Sequence, residues 1–183
     1  WDLLLSNLNI GYQNPMLTDA IDYSFSFGQL VALLGRNGCG KSTFLKTLSG
    51  NLKPISGQIL LKTGNREEKN LKQFTVTEKA RILSIATTEK AYIPYLKVID
   101  FVAFGRYPYQ KKWYKTGFNQ ADRDRSLLAL SELDITYLQD KYLDECSDGE
   151  HQLVVLARII CQDTPIVLLD EITAHLDLVN RKK

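Results

Sequence analysis

With 183 residues, 44% of them hydrophobic and 24% charged, the chain is long enough for one sizeable core plus a modest insertion. A net charge of +2 argues neither for nor against acidic partners, and no basic patch interleaved with aromatics or zinc-finger spacing suggests nucleic acid. Cys39, Cys146 and Cys161 are too scattered for a disulfide framework or metal cluster, and no run has the length of a membrane span or the look of a signal sequence, a pattern that suits a reducing cytosol. The chain begins at Trp1 and stops on Asn180-Arg181-Lys182-Lys183 just after an apparent helix start, so both ends are expected to be cuts in a longer sequence.

Trp1 to Tyr12 alternates in part and ends at Gly11, as an opening strand does. Tyr12 stands either as a ring to lie on a nucleotide base or as an ordinary strand-end aromatic. Asn14-Pro15 predicts a turn, and Ile21, Tyr23, Phe25 and Phe27 alternate as in a half-buried strand.

The stretch from Leu30 to Leu48 organises the rest. Leu30 to Leu34 reads as a buried strand, and a helix-compatible run starts near Lys41. Between them, Gly35, four residues, Gly40, Lys41 and Ser42 make the P-loop pattern in the setting it requires. Glycines let successive N–H groups turn inward, and the helix start adds its positive dipole end, so Gly35, Asn37, Gly38, Cys39, Gly40, Lys41, Ser42 and Thr43 form a phosphate cradle. Lys41 reaches the β- and γ-phosphates, and the Ser42 hydroxyl is a ligand for Mg²⁺.

Gly50 to Gly57 reads as a loop, Gly57 to Lys62 as a short strand and Gly64 to Lys72 as a solvated segment. Ala80 to Thr87 predicts another strand. Val98 to Gly105 fits a helix ending before Arg106-Tyr107-Pro108-Tyr109, and Asn119 caps a second, with Leu127, Leu128, Leu130 and Leu133 at helical spacing. The aromatics of this stretch, from Phe101 through Trp113 and Tyr114 to Phe118, are divided between core and a docking face. Ser147 caps a third helix with Glu150 in a capping box, and the helical insertion spans about 93–161 of the single 1–183 domain. Pro165 then introduces Ile166 to Leu169, read as a central parallel strand that ends in Asp170-Glu171. Asp170 is the candidate to hold Mg²⁺, and Glu171 the candidate to polarise an attacking water.

Taken together, these motifs resemble the ATP-binding subunit of an ABC transporter over nearly the whole chain. Gly35 to Thr43 is similar to its Walker A motif, Ile166 to Glu171 to its Walker B motif with catalytic glutamate, and Ala174-His175-Leu176-Asp177 to its D-loop. Cys146-Ser147-Asp148-Gly149-Glu150 resembles the family signature, although leucine, glycine and glutamine are usual where Cys146, Asp148 and Glu150 stand. The resemblance implies an α/β P-loop NTPase with a mostly parallel core sheet, an N-terminal antiparallel β part and an inserted helical subdomain. Its cofactors are ATP and Mg²⁺.

It also implies a homodimer paired head to tail, in which Ser147 and Gly149 face the γ-phosphate of ATP on the other copy, Tyr12 stacks on adenine and Asp177 belongs to the nucleotide site. Permease subunits spanning the membrane, and through them a substrate-binding protein, complete the set of partners, with the chain at the cytoplasmic face of the inner membrane. Val98 to Pro108 is similar to a run found in importers of iron–siderophore complexes, haem and cobalamin. Three departures stand out: Thr88 occupies the place of a metal-contacting glutamine, Ile172 that of a proline, and the switch histidine lies beyond the last residue. An alternative expectation is therefore a degenerate nucleotide-binding switch or scaffold with little turnover. A third, a soluble ABC-type ATPase of DNA repair or translation, lacks its coiled-coil insertion or second P-loop.

Overall fold

The computed structural model describes residues 1–64, 68–87, 93–110 and 117–171. Contacts divide the chain into two compact units, Trp1–Leu83 and Ser84–Lys183.

In the first unit, strand β1 (Asp2–Asn9) lies between β2 (Ile21–Phe25) and β3 (Ser56–Lys62), antiparallel to both, and the short β4 (Lys69–Asn70) extends the sheet in the order β2-β1-β3-β4. Alternation places Leu3 opposite Leu61 and Leu5 opposite Ile59, and all four are buried, the cross-strand pairing that stabilises such a sheet. The register then slips on both sides of β1 at Asn7, whose φ is 48°. Gly57 faces this bulge: a Cβ there would sit 2.1 Å from the Asn7 carbonyl oxygen, so only glycine lets the two strands approach. Beyond β1 the predicted turn forms, with Gly11 bridged to Pro15 and the Met16 N–H donating to the Ile10 carbonyl at 2.9 Å.

Two expectations in this unit need correction. The alternating set from Ile21 to Phe27 is covered only in part: Ile21 and Phe25 are half-buried, Tyr23 and, beyond β2, Phe27 are exposed, and the Tyr23 and Phe25 rings meet at 4.7 Å. Leu30 to Leu34 forms no strand, and Leu30 and Leu34 are 101% and 89% exposed. A continuous apolar run becomes a strand only with a free edge to pair on and cover for both faces. Neither described sheet takes this run up, so Leu30 and Leu34 are left uncovered. Helix α1 (Lys41–Leu48) follows as expected.

The segment read as solvated is partly structured, since β4 leads into a turn at Leu71–Gln73 that buries Leu71. A short helix α2 (Val76–Ala80), missed in the sequence, precedes β5 (Leu83–Ala86), so that strand starts later than predicted. Its signal was Thr75 with Glu78 three residues on, a reciprocal cap in which the Thr75 N–H donates to the Glu78 carboxylate at 2.7 Å.

In the second unit β5 pairs with β6 (Ile166–Leu169), and the chain between them passes through α3 (Val98–Ala103), α4 (Gln120–Glu132) and α5 (Asp148–Gln162). Val98, Val102, Leu130, Leu138, Val154 and Cys161 belong to one buried cluster between these helices. Helix α3 ends at Ala103, ahead of Arg106 as expected, and the chain then tightens into a 3-10 segment from Phe104 to Tyr109. This segment is fastened to the end of α5. Arg106 Nη1 donates to the Cys161 carbonyl at 3.0 Å, and the Tyr109 hydroxyl to that of Gln162 at 2.8 Å, so two orphan helix-end carbonyls are satisfied.

Gly105 permits the approach, because a Cβ there would lie 2.6 Å from the Arg158 carbonyl oxygen. Phe101 belongs to the core, whereas Phe104, Tyr107 and Phe118 pack on one another near the surface with Tyr107 exposed; Trp113 and Tyr114 lie outside the described residues. On α4, Leu130 is buried but Leu127 and Leu128 are exposed. On β6 only Leu168 is buried, with Val167 and Leu169 about half exposed, because β5 is its single partner among the described strands.

Candidate functional site

The P-loop is built by its glycines. Gly38 and Gly40 hold φ of 80° and 102°, left-handed values that cost a residue with a Cβ, and the Cys39 N–H closes a turn on the Arg36 carbonyl at 3.3 Å. Gly40 is the N-cap of α1 and supplies no capping side chain, and the first turn carries no acid. The first helical hydrogen bond runs from the Phe44 N–H to the Gly40 carbonyl at 2.8 Å, so the N–H groups ahead of it have no carbonyl within the helix. Such a start suits an anion. Met16 supports it from below, with its Cε 3.5 Å from where a Gly40 Cβ would stand; nothing in the sequence singled out that residue beyond its place after Pro15.

Lys41 Nζ donates to the carbonyls of Gly35 and Arg36 at 3.0 and 3.1 Å, which lays the ammonium along its own loop. Neutral carbonyls are weaker acceptors than phosphate oxygens, and an incoming phosphate gains a charge-assisted bond from the same ammonium. Arg36, Asn37, Cys39 and Ser42 are exposed, while Thr43 is buried. Tyr12 is 68% exposed, so its ring is no core residue and keeps a face open for stacking. A cavity of about 290 Å³ in this unit lies at the opposite end of α1, against Thr47, Gly50 and Leu71, away from the loop.

In the second unit the acidic pair ends β6. The Asp170 N–H donates to the Ala86 carbonyl at 2.9 Å and the residue is buried, whereas Glu171 is exposed with φ of 53°. That left-handed turn puts neighbouring carboxylates into different surroundings, one packed and one open. The hydroxyl of Ser42 and the carboxylate of Asp170 are hard oxygen donors of the kind Mg²⁺ accepts, and among the described residues no cluster of three His, Cys, Asp or Glu forms a cage.

At the start of α5, Ser147 Oγ accepts from the Glu150 N–H at 3.3 Å, and Glu150 Oε2 accepts from the Ser147 N–H at 2.8 Å. The same oxygen takes a bond from Lys141 Nζ at 3.0 Å. The Ser147 N–H, aided by Lys141, holds the Glu150 carboxyl below the usual carboxylate range, and the bond to Glu150 holds the Lys141 ammonium above its ordinary value. Burial pushes the Cys146 thiol up, so it is no ready nucleophile. Lys141 was not foreseen; its only signal is its position ahead of an acidic turn.

Thus Gly35 to Thr43 come together as one loop in the first unit, and Asp170-Glu171 and Ser147 to Glu150 stand at two element ends in the second. Thr88 and Asp177 lie outside the described residues, as do His175 and Ile172.

The family model for ABC transporters matches residues 18–174, and the chain belongs to that family. An uncharacterised ABC transporter ATP-binding protein of Haemophilus influenzae is 39% identical over 96% of this chain and 64% of its own length. The achromobactin transport ATP-binding protein of Dickeya dadantii is 34% identical over 95% and 62%, and the ferric enterobactin transport ATP-binding protein of Escherichia coli 31% over 93% and 60%. The chain therefore spans about three-fifths of the length of these relatives. Among solved structures, an inward-facing ABC transporter assigned to the metal-chelate type matches with a TM-score of 0.76 and 28% identity over 96% of this chain and 62% of that one. A dimeric bacterial ABC transporter cassette shares the fold, with a TM-score of 0.79 at 21% identity over 96% of this chain and 76% of that one. The fold is that of a P-loop ATPase cassette, with mixed helices and strands. No described helix is long and apolar enough to cross a membrane.

Proposed function

We propose that this chain is the nucleotide-binding part of an ATPase subunit that drives import of an iron–siderophore or related metal chelate. The observation that carries the reading is the P-loop: an acid-free helix start behind two left-handed glycines, with Lys41 already hydrogen-bonded along the loop. The triphosphate lies in the cradle from Gly35 to Thr43, and Lys41 exchanges loop carbonyls for β- and γ-phosphate oxygens. Tyr12 stacks on the base. Ser42, Asp170 and Thr88 are the residues that would hold Mg²⁺, which would supply positive charge against the phosphates. Glu171 orients the attacking water and accepts its proton.

A second copy, paired head to tail, places Ser147, Gly149 and the start of its α5 against the γ-phosphate, and Asp177 lies at the same junction. One copy alone then binds ATP but hydrolyses it slowly. Closure with ATP and reopening after hydrolysis drive permease subunits at the cytoplasmic face of the inner membrane, which receive substrate from an outer binding protein. The similarity to chelate-transport relatives supports this class of substrate. The division into a 1–183 nucleotide-binding domain with a helical subdomain at about 93–161 belongs to the same proposal.

The second reading, a switch or scaffold with little turnover, is favoured by Thr88 in place of glutamine and by the acidic signature. ATP hydrolysis by the full chain with its permease, beside Glu171→Gln, separates the two. Turnover that vanishes in the variant while ATP stays bound supports the importer, and equal negligible turnover in both supports the switch.

A further inference from the structure

The stretch that leads into α5 is unusually acidic for a surface meant to meet a triphosphate. Asp144, Glu145, Asp148 and Glu150 lie within seven consecutive residues around Ser147. Glu150 stands where glutamine is usual in the signature, and its carboxylate is tied to the very N–H of Ser147. Left uncompensated, that charge would repel an anion approaching Ser147 and Gly149. It is compensated: Lys141 Nζ bonds the same Glu150 oxygen at 3.0 Å, and both side chains are partly screened from solvent, at 33% and 23% exposure. The pair is reinforced in both directions, with Glu150 held more acidic and Lys141 more basic than usual. Lys141 is itself placed by its backbone, whose carbonyl accepts from the Val98 N–H at 3.0 Å and whose N–H donates to the Leu138 carbonyl at 2.9 Å, so it hangs from α3 rather than from a free loop.

We propose that Lys141 is a positioning residue for the signature: by pairing with Glu150 it fixes the Ser147 cap and cancels the carboxylate that would otherwise repel the ATP bound to a second copy. This inference rests on the reading of Ser147 and Gly149 as ATP contacts. It explains how an acidic residue is tolerated where an uncharged amide is usual.

The test uses the full chain carrying Glu171→Gln to slow hydrolysis, with the ATP concentration for half-maximal dimer formation read by sedimentation at low salt. Lys141→Met raises that concentration about tenfold, and the penalty shrinks as salt screens the exposed charge. Lys141→Arg stays close to the reference, and Lys141→Met combined with Glu150→Gln returns to within about twofold of it. Glu150→Gln alone, which keeps an acceptor for the Ser147 N–H, leaves dimerisation as good or better and remains informative should the methionine variant fold poorly.

Equal dimerisation with and without Lys141, no rescue in the folded double variant, or weaker dimerisation in Glu150→Gln overturns the role of the pair. Absence of any ATP-driven dimer in the reference protein overturns the wider functional reading, and the pair's role with it.

Discussion

Lys41 shows how one side chain can serve two states. In the structure its ammonium bonds the Gly35 and Arg36 carbonyls, which lays it along the loop it would serve when a phosphate arrives. Lys41→Ala is therefore expected to weaken nucleotide binding about tenfold or more, the equivalent of at least one charge-assisted hydrogen bond, while the unfolding midpoint shifts little. Titration with a fluorescent nucleotide analogue beside a thermal melt checks both halves. Gly35 is the matching steric case: a Cβ there would stand 2.7 Å from Cys39 Sγ, the tip of a side chain with a single rotor. Gly35→Ala should lower affinity, and adding Cys39→Ala should recover part of the loss. Failure of the second change to help would place the cost in the backbone instead.

At the scale of elements, the Gly-Arg-Tyr-Pro run packs closely on α5 at Gly105. A Cβ at Gly105 meets backbone atoms, the Arg158 carbonyl oxygen at 2.6 Å and the Gln162 nitrogen at 2.9 Å, which cannot rotate away. Gly105→Ala is expected to destabilise the chain by about 1–3 kcal/mol, read by urea unfolding. The start of α5 carries a pH signature. Because Glu150 titrates lower when folded, its contribution is complete above the ordinary carboxylate value of about 4.3 and is lost as pH falls through its own lower value. Lys141, raised when folded, contributes fully below the ordinary amine value of about 10.4 and loses that contribution as pH rises through its raised value. The gap in melting temperature between the chain and Glu150→Gln should be constant near neutrality and close in acid. A gap unchanged in strong acid would mean that the carboxylate does not act by its charge.

For the whole molecule, a ligand that binds only the folded state adds stability by mass action. ATP with Mg²⁺ at about a hundredfold excess over its dissociation constant should add about 2.7 kcal/mol, and removal of the cation with a chelator should reverse most of it. A melt that ignores nucleotide would contradict the P-loop reading outright. Leu30 and Leu34 expose large apolar surface, as do Val167 and Leu169. Exposed apolar groups of this kind favour self-association, so light scattering should rise with concentration more steeply for this chain than for a variant with Leu30 and Leu34 changed to serine.

What the sequence determined by itself was local: the glycine spacing dictates a loop with left-handed turns at the start of α1, and Ser147 or Asn119 with an acid three residues on dictates a helix start. Those signals act within a few residues, so they survive any arrangement of the rest, and the family could be read from them. Burial, pairing and charge compensation were decided only in three dimensions. The apolar stretch Leu30–Leu34 joined neither described sheet, Ile21 and Phe25 of β2 were covered only in part while Tyr23 stayed exposed, and Gly105 proved to be a contact with α5 rather than a helix end. Each depends on what a distant segment supplies, and no local pattern encodes a partner far along the chain. Lys141 belongs with them: it lies nine positions before Glu150, and only the fold laid its ammonium on that carboxylate.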